Sequence, residues 1–254
     1  MSDPVFLGVS LKMYLDHAAT LSWVDKVVGI ADSEPAVRDG RVQLAVLPTF
    51  VSIPGVAALT RGTPVMVGAQ DVSWADAGAF TGEVSGRDLA TLGCRYVEIG
   101  HAERRRLFAE DDAMIAGKFA AAGRNGLIPL LCVGEREHVD AAAAGDICVQ
   151  QVQAALADVD EPMPEVIVAY EPVWAIGADR PAGADHVRAV CERVRSGLRA
   201  EQRIERARVI YGGSAGPGLL TELGTATDGL FLGRFAHDPE AVRMMVGEAA
   251  RLGW

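Results

Sequence analysis

No uninterrupted apolar run in this sequence approaches the roughly 20 residues that a membrane-spanning helix needs. The opening residues, MSDPVFLG, have neither the basic start nor the long apolar stretch of a secretory signal, so a cytoplasmic protein is expected. Cysteine is sparse and scattered. Cys94, Cys132, Cys148 and Cys191 form no CxxC pair and read as buried free thiols in a reducing compartment; no metal site is expected. No G-x-G-x-x-G follows the first strand-like segment, which weakens a dinucleotide-binding reading. Net positive charge is also lacking. The formal charge of −10 argues against non-specific nucleic-acid binding and against attraction to acidic membranes. It leaves a small anionic substrate open, because a local cationic site can sit on an acidic surface. There is no Pro- or Ser-rich linker and no low-complexity tail.

What remains is a chain of 254 residues, half of them hydrophobic, long enough for one large domain spanning 1–254. Short β-branched apolar runs alternate with longer helix-like stretches. The spacing predicts strands at Val5–Leu11, Val42–Leu47, Val65–Ala69, Arg95–Ile99, Leu127–Cys132, Val166–Tyr170, Arg208–Tyr211 and Gly229–Leu232. Their nearly continuous hydrophobicity suits parallel strands covered on both faces. Helices are expected at Ala18–Ala31, Asp111–Arg124, Asp140–Ala157, Ala184–Ala200 and Pro239–Arg251, with another from Gly86, capped by Ser85 and closed by Gly93. This order allows a doubly wound open sheet or a closed barrel. Eight near-regular units of roughly 30 residues favour the α/β class and a (β/α)₈ barrel.

Chemistry in such a barrel sits where the strands end. Lys12 follows the first predicted strand, Gln70 and Asp71 the third, His101 and Glu103 the fourth, and Glu135 the fifth. Glu171 follows the sixth, Gly212-Gly213-Ser214 the seventh and Gly233 the eighth. A lysine, a histidine and a glutamate can therefore converge, with glycine-rich turns that let backbone N–H groups approach a phosphate. The set reads as acid/base chemistry on a small phosphorylated compound.

Those same residues carry a resemblance. EIGHAERR (98–105), AYEPVWAIG (169–177) and YGGS (211–214), supported by AFTGEVS (79–85) and CVGE (132–135), resemble triosephosphate isomerase motifs across essentially the whole chain. The resemblance implies a cofactor-free TIM-barrel isomerase of carbohydrate metabolism. In it Glu171 moves the proton, neutral His101 polarises the carbonyl, Lys12 stabilises the enediolate and Glu103 orients Lys12. Pro172, Val173, Trp174, Ala175, Ile176 and Gly177 would form a lid that keeps solvent from the intermediate. Gly177, Ser214, Gly233 and the backbone at Arg234 would hold the phosphate. Thr81 would reach into the partner of a homodimer. Arg104 and Arg105 read as structural ion-pairing residues, Cys132 as a packed thiol and Glu135 as a structural hydrogen-bonding group.

The departures from the family pattern lie beside the substrate. Ser10 stands where an Asn is usual and Leu11 where a Trp is. Asp71 replaces an Asn, Ala102 a Ser, and Arg234 the second glycine of a Gly-Gly pair. Asn to Ser and Ser to Ala both remove bulk, so a substrate longer by one hydroxymethyl group could fit. Interconversion of L-erythrulose 1-phosphate and D-erythrulose 4-phosphate uses the same proton shift, and a Ser at the Asn position is similar to the bacterial branch acting on that pair. The alternatives are the triose reaction, dihydroxyacetone phosphate to glyceraldehyde 3-phosphate, and a non-catalytic relative that only binds a phosphorylated ligand.

Overall fold

Successive side chains of a strand point to opposite faces, and the burial pattern sorts them into two apolar layers. Phe6, Ala45, Leu47, Tyr96, Leu130, Ile167, Ile210 and Phe231 form one cluster; their strand neighbours, such as Leu7, Val46, Val97, Leu131 and Val168, belong to another that also takes in the helices. The first cluster holds strand residues alone, as the interior of a closed sheet does. The computed structural model describes residues 3–176 and 182–252. In it β1 (Val5–Ser10), β2 (Val42–Leu47), β3 (Val65–Ala69), β4 (Tyr96–Ile99), β5 (Ile128–Val133), β6 (Val166–Tyr170), β7 (Ala207–Tyr211) and β8 (Gly229–Leu232) run in sequence order around a closed barrel. All pairings are parallel, and β1 closes the ring on β8 with Phe6 opposite Gly229. The barrel expectation holds, and each predicted strand falls within a residue or so of the observed one.

The helices outside the ring are α1 (His17–Ser33), α2 (Pro35–Arg38), α3 (Ile53–Thr60), α4 (Gly86–Thr91), α5 (Ala102–Leu107), α6 (Asp112–Arg124), α7 (Ala141–Ala155), α8 (Ala184–Arg199), α9 (Leu219–Leu223) and α10 (Pro239–Leu252). Several start on an acidic or hydroxyl cap. Asp16, Ser85, Asp111 and Asp140 each accept a hydrogen bond from a backbone N–H in the first turn. Asp111 and Asp140, expected as first helical residues, are thus the caps themselves. The short α2, α3, α5 and α9 lack the long apolar period that marks the others. No helix of the described residues is long and apolar enough to cross a membrane.

The two ends of the barrel interior differ. At the N-terminal end Arg208 is fully buried, held by Glu165 and by Gln43 at 2.7 Å, with its guanidinium 4.9 Å from the centre of the Phe6 ring. Phe6 packs edge-on to Tyr96 at 5.1 Å between centroids. Both terminal nitrogens of the guanidinium are paired, while Nε has no hydrogen-bond partner among the described residues. The C-terminal end instead opens into a cavity. All four cysteines are buried free thiols, as expected.

Candidate active site

The cavity at the C-terminal ends of the strands has a volume of about 1000 Å³. Ser10, Lys12, His101, Glu103, Glu171, Ser214, Gly233 and Arg234 all line it, together with Val173 and Ile176 of the expected lid. Lys12 leaves β1 in a left-handed conformation, φ 49°, which is uncommon outside glycine. Gln70 braces that turn: its Nε2 donates to the carbonyls of Lys12, at 3.1 Å, and Leu47, at 2.8 Å. The Lys12 ammonium meets Glu103 at 2.8 Å. Burial works against its charge, but the hydrogen bond and charge of Glu103, with Glu171 and Glu98 beyond, outweigh burial and hold the Lys12 pKa above its ordinary value.

His101 is the N-cap of α5. Its Nδ1 accepts the backbone N–H of Glu103 at 3.1 Å. A backbone amide can only donate, so Nδ1 carries the lone pair and the neutral ring bears its proton on Nε2. Burial, then the positive charge of Lys12, lowers the His101 pKa to about 4. The imidazole is therefore neutral through the physiological range, with Nε2–H as a donor. Nε2 lies 3.4 Å from Oε2 of Glu171.

Glu171 follows β6 and is 4% exposed. Its Oε2 has no hydrogen-bond partner among the described residues. Burial, then repulsion from Glu98, raises its pKa well above the usual carboxylate value. Two motif glycines make room for it. A Cβ on Gly212 would fall 2.6 Å from Glu171 Oε1, and one on Gly134 would fall 2.0 Å from the Glu171 carbonyl oxygen. Gly212 of YGGS thus clears space for the carboxylate, and Gly134 of CVGE for the backbone that carries it. The Cys132 thiol beneath has its pKa pushed well up by burial and by the charge of Glu171, so it stays protonated.

The start of the lid is tied to its surroundings. Trp174 Nε1 donates to Glu135 Oε1 at 2.7 Å and Tyr170 donates to the same oxygen at 3.1 Å. Ser214 Oγ donates to the carbonyl of Ala175 at 3.0 Å. Trp174 is therefore anchored on Glu135, and Glu135 has the hydrogen-bonding role expected of it. Gly177 lies outside the described residues. Thr81 is exposed in the loop after β3. Arg234 takes ordinary backbone angles, so the lost glycine costs no strain there; its guanidinium lies 5.9 Å from the centre of the Tyr14 ring at the cavity rim.

Asp71 has a clear structural reason. Both its oxygens accept from the buried Lys118 ammonium, at 2.7 and 2.9 Å, and Arg104 bridges Asp71 at 2.8 Å and Glu110 at 2.6 Å. Arg105 pairs with Asp112 at 2.7 Å. Both arginines make the ion pairs expected of them. Two groups at the site went unrecognised in the sequence, Gln70 as a brace and Glu98. The signal for Glu98 was present: a glutamate within the otherwise apolar strand YVEI.

With this geometry in view, comparison with known proteins is decisive. A family model for triosephosphate isomerase matches residues 5–249. The chain belongs to the triosephosphate isomerase family. Within it, the chain is 50% identical over 253 residues to an L-erythrulose-1-phosphate isomerase of Pectobacterium atrosepticum, covering 99% of this chain and 98% of that one. A triosephosphate isomerase of Mycolicibacterium vanbaalenii is 38% identical over 98% of each chain. One from Mycobacterium tuberculosis is 42% identical over 84% of each. The motifs EIGHAERR, AYEPVWAIG and YGGS that carry the family resemblance are the ones that surround the cavity.

Proposed function

We propose that this isomerase interconverts L-erythrulose 1-phosphate and D-erythrulose 4-phosphate without a cofactor. The observation that carries the chemistry is the buried pair of Glu171 and His101 beside the Lys12 ammonium. In the forward direction Glu171 takes the proton from the carbon next to the carbonyl. His101 Nε2–H donates to the carbonyl oxygen as it gains charge, and Lys12 stabilises the resulting enediolate. His101 gives its Nε2 proton to the former carbonyl oxygen and takes one from the neighbouring hydroxyl, so the two oxygens exchange roles; Glu171 then returns a proton to the former carbonyl carbon, and the carbonyl has moved by one position. The raised pKa of Glu171 suits a group that must both take and return a proton. Ser214, Gly233 and the backbone at Arg234 hold the phosphate, with Gly177 as a further contact. Glu103 orients Lys12.

The choice of the four-carbon pair rests on Ser10 and Ala102 and on the 50% identity to the Pectobacterium atrosepticum enzyme. The triose reaction is the second reading, favoured by the relatives named triosephosphate isomerases. An intact Lys12, His101 and Glu171 count against a binding-only relative. The same reading carries a cytoplasmic homodimer in which Thr81 enters the partner.

The test is conversion of L-erythrulose 1-phosphate in D₂O followed by NMR. D-Erythrulose 4-phosphate is expected to accumulate, with deuterium only on the carbon that had been the carbonyl. No conversion, or label at any other carbon, overturns the proposal.

A further inference from the structure

Glu98 has no part in the proton transfer described above, yet it is a carboxylate inside the barrel. On β4 it shares the inward face of Tyr96, while Val97 and Ile99 face the helices. It is 3% exposed. Such a group is costly to bury and needs a partner. The hydrogen bond that the structure gives it comes from Ser10 across the barrel: Ser10 Oγ donates to Glu98 Oε2 at 2.8 Å. Burial, more than any neighbouring charge, raises the Glu98 pKa to about 7, so a slightly alkaline solution ionises it.

The bond fixes the chemistry of Ser10. A hydroxyl has one proton and two acceptor lone pairs. With its proton committed to Glu98, Ser10 can act toward the cavity only as an acceptor. Ser10 lines the cavity at the floor, as the last residue of β1 and two residues before Lys12. Ser214 and Gly233, the proposed phosphate contacts, follow β7 and β8. A ketose phosphate anchored there directs the carbons remote from the phosphate toward the floor. In the four-carbon sugar a hydroxymethyl group lies beyond the two reacting carbons and has a proton to donate; in the triose phosphate no carbon lies beyond them.

The geometry points to Ser10 and Glu98 as a specificity pair, in which Glu98 orients the Ser10 hydroxyl to accept a hydrogen bond from the terminal hydroxyl of a four-carbon substrate. Glu98 is a positioning residue, acting through Ser10. The inference rests on the four-carbon reading of the site and names the groups that would enforce it.

Two unreactive alcohols, D-erythritol 4-phosphate and glycerol 3-phosphate, differ by one hydroxymethylene and test the pair apart from turnover. Their dissociation constants are measured by calorimetry at pH 8. The wild type is expected to prefer the four-carbon alcohol. Ser10→Ala and Glu98→Leu should each cut that preference about tenfold, the usual scale for a lost hydrogen bond to an oriented acceptor. The double variant should lose no more than either single one, since the two act through one contact. Glu98→Gln, whose amide oxygen can still accept from Ser10, should stay within about threefold of the wild type. Circular dichroism and melting of each variant establish that the fold is intact. No preference in the wild type overturns the inference. So does a parallel loss of both ligands in Ser10→Ala or Glu98→Leu, or a Glu98→Gln ratio as low as that of Glu98→Leu. Wild-type turnover of the two ketose phosphates decides the substrate reading separately, so failure of one is distinguishable from failure of the other.

Discussion

Glu171→Gln is expected to lower kcat by about a thousandfold or more, at the upper end of what one proton-transferring group contributes, with KM changed only a few-fold. The amide matches the carboxylate in size, so the space cleared by Gly212 still accommodates it. It cannot take a proton from carbon. The side chain is not a phosphate contact, so ground-state binding survives. The split between kcat and KM separates this outcome from misfolding, which would remove active enzyme, and from loss of binding, which would raise KM. Steady-state kinetics of the purified variant provide the check, and a loss below tenfold would mean that another group moves the proton.

Lys118→Met is expected to produce the largest loss of stability, about 3–5 kcal/mol, the range for stripping one partner from a buried ion pair. Lys118 is 1% exposed and contacts both oxygens of Asp71 as well as Glu110. Without it, the two buried carboxylates share Arg104 as their one cationic partner among the described residues. The Asp71 pKa is already raised by burial, so the added penalty falls on a group held ionised at a cost. For a chain of this size the loss corresponds to a drop in Tm of roughly 10 °C. Lys118→Met combined with Asp71→Asn should recover part of it, because the second change removes one uncompensated charge. Urea unfolding of the two variants measures both effects. A loss under about 1 kcal/mol would show that water or Arg104 satisfies the carboxylates.

The strands were legible because each carries a short, continuous apolar run, and a parallel strand buried on both faces has to read that way. Lys12, His101 and Glu171 were legible for a related reason. Each is the first ionisable residue after such a run, where a barrel gathers its loops. Glu98 was harder to read because its meaning depends on facing. A glutamate within YVEI is equally consistent with a frayed strand until Tyr96 is seen to point inward. Asp71 looked like a substrate-side change because its partner, Lys118, comes 47 residues later on α6 and only the folded barrel brings them together. Arg234 raised a question of backbone strain that its ordinary angles remove. Gln70 stood at a strand end with no chemistry to suggest that it braces a left-handed lysine.

The triad of Lys12, His101 and Glu171 serves either sugar phosphate, so the central claim turns on substrate choice. The most direct measurement is kcat/KM of the wild-type enzyme for L-erythrulose 1-phosphate and for dihydroxyacetone phosphate under identical conditions. A specificity constant at least tenfold higher for the four-carbon sugar is predicted, the scale of one well-made hydrogen bond to its extra hydroxyl. A higher constant for the triose phosphate would contradict the account.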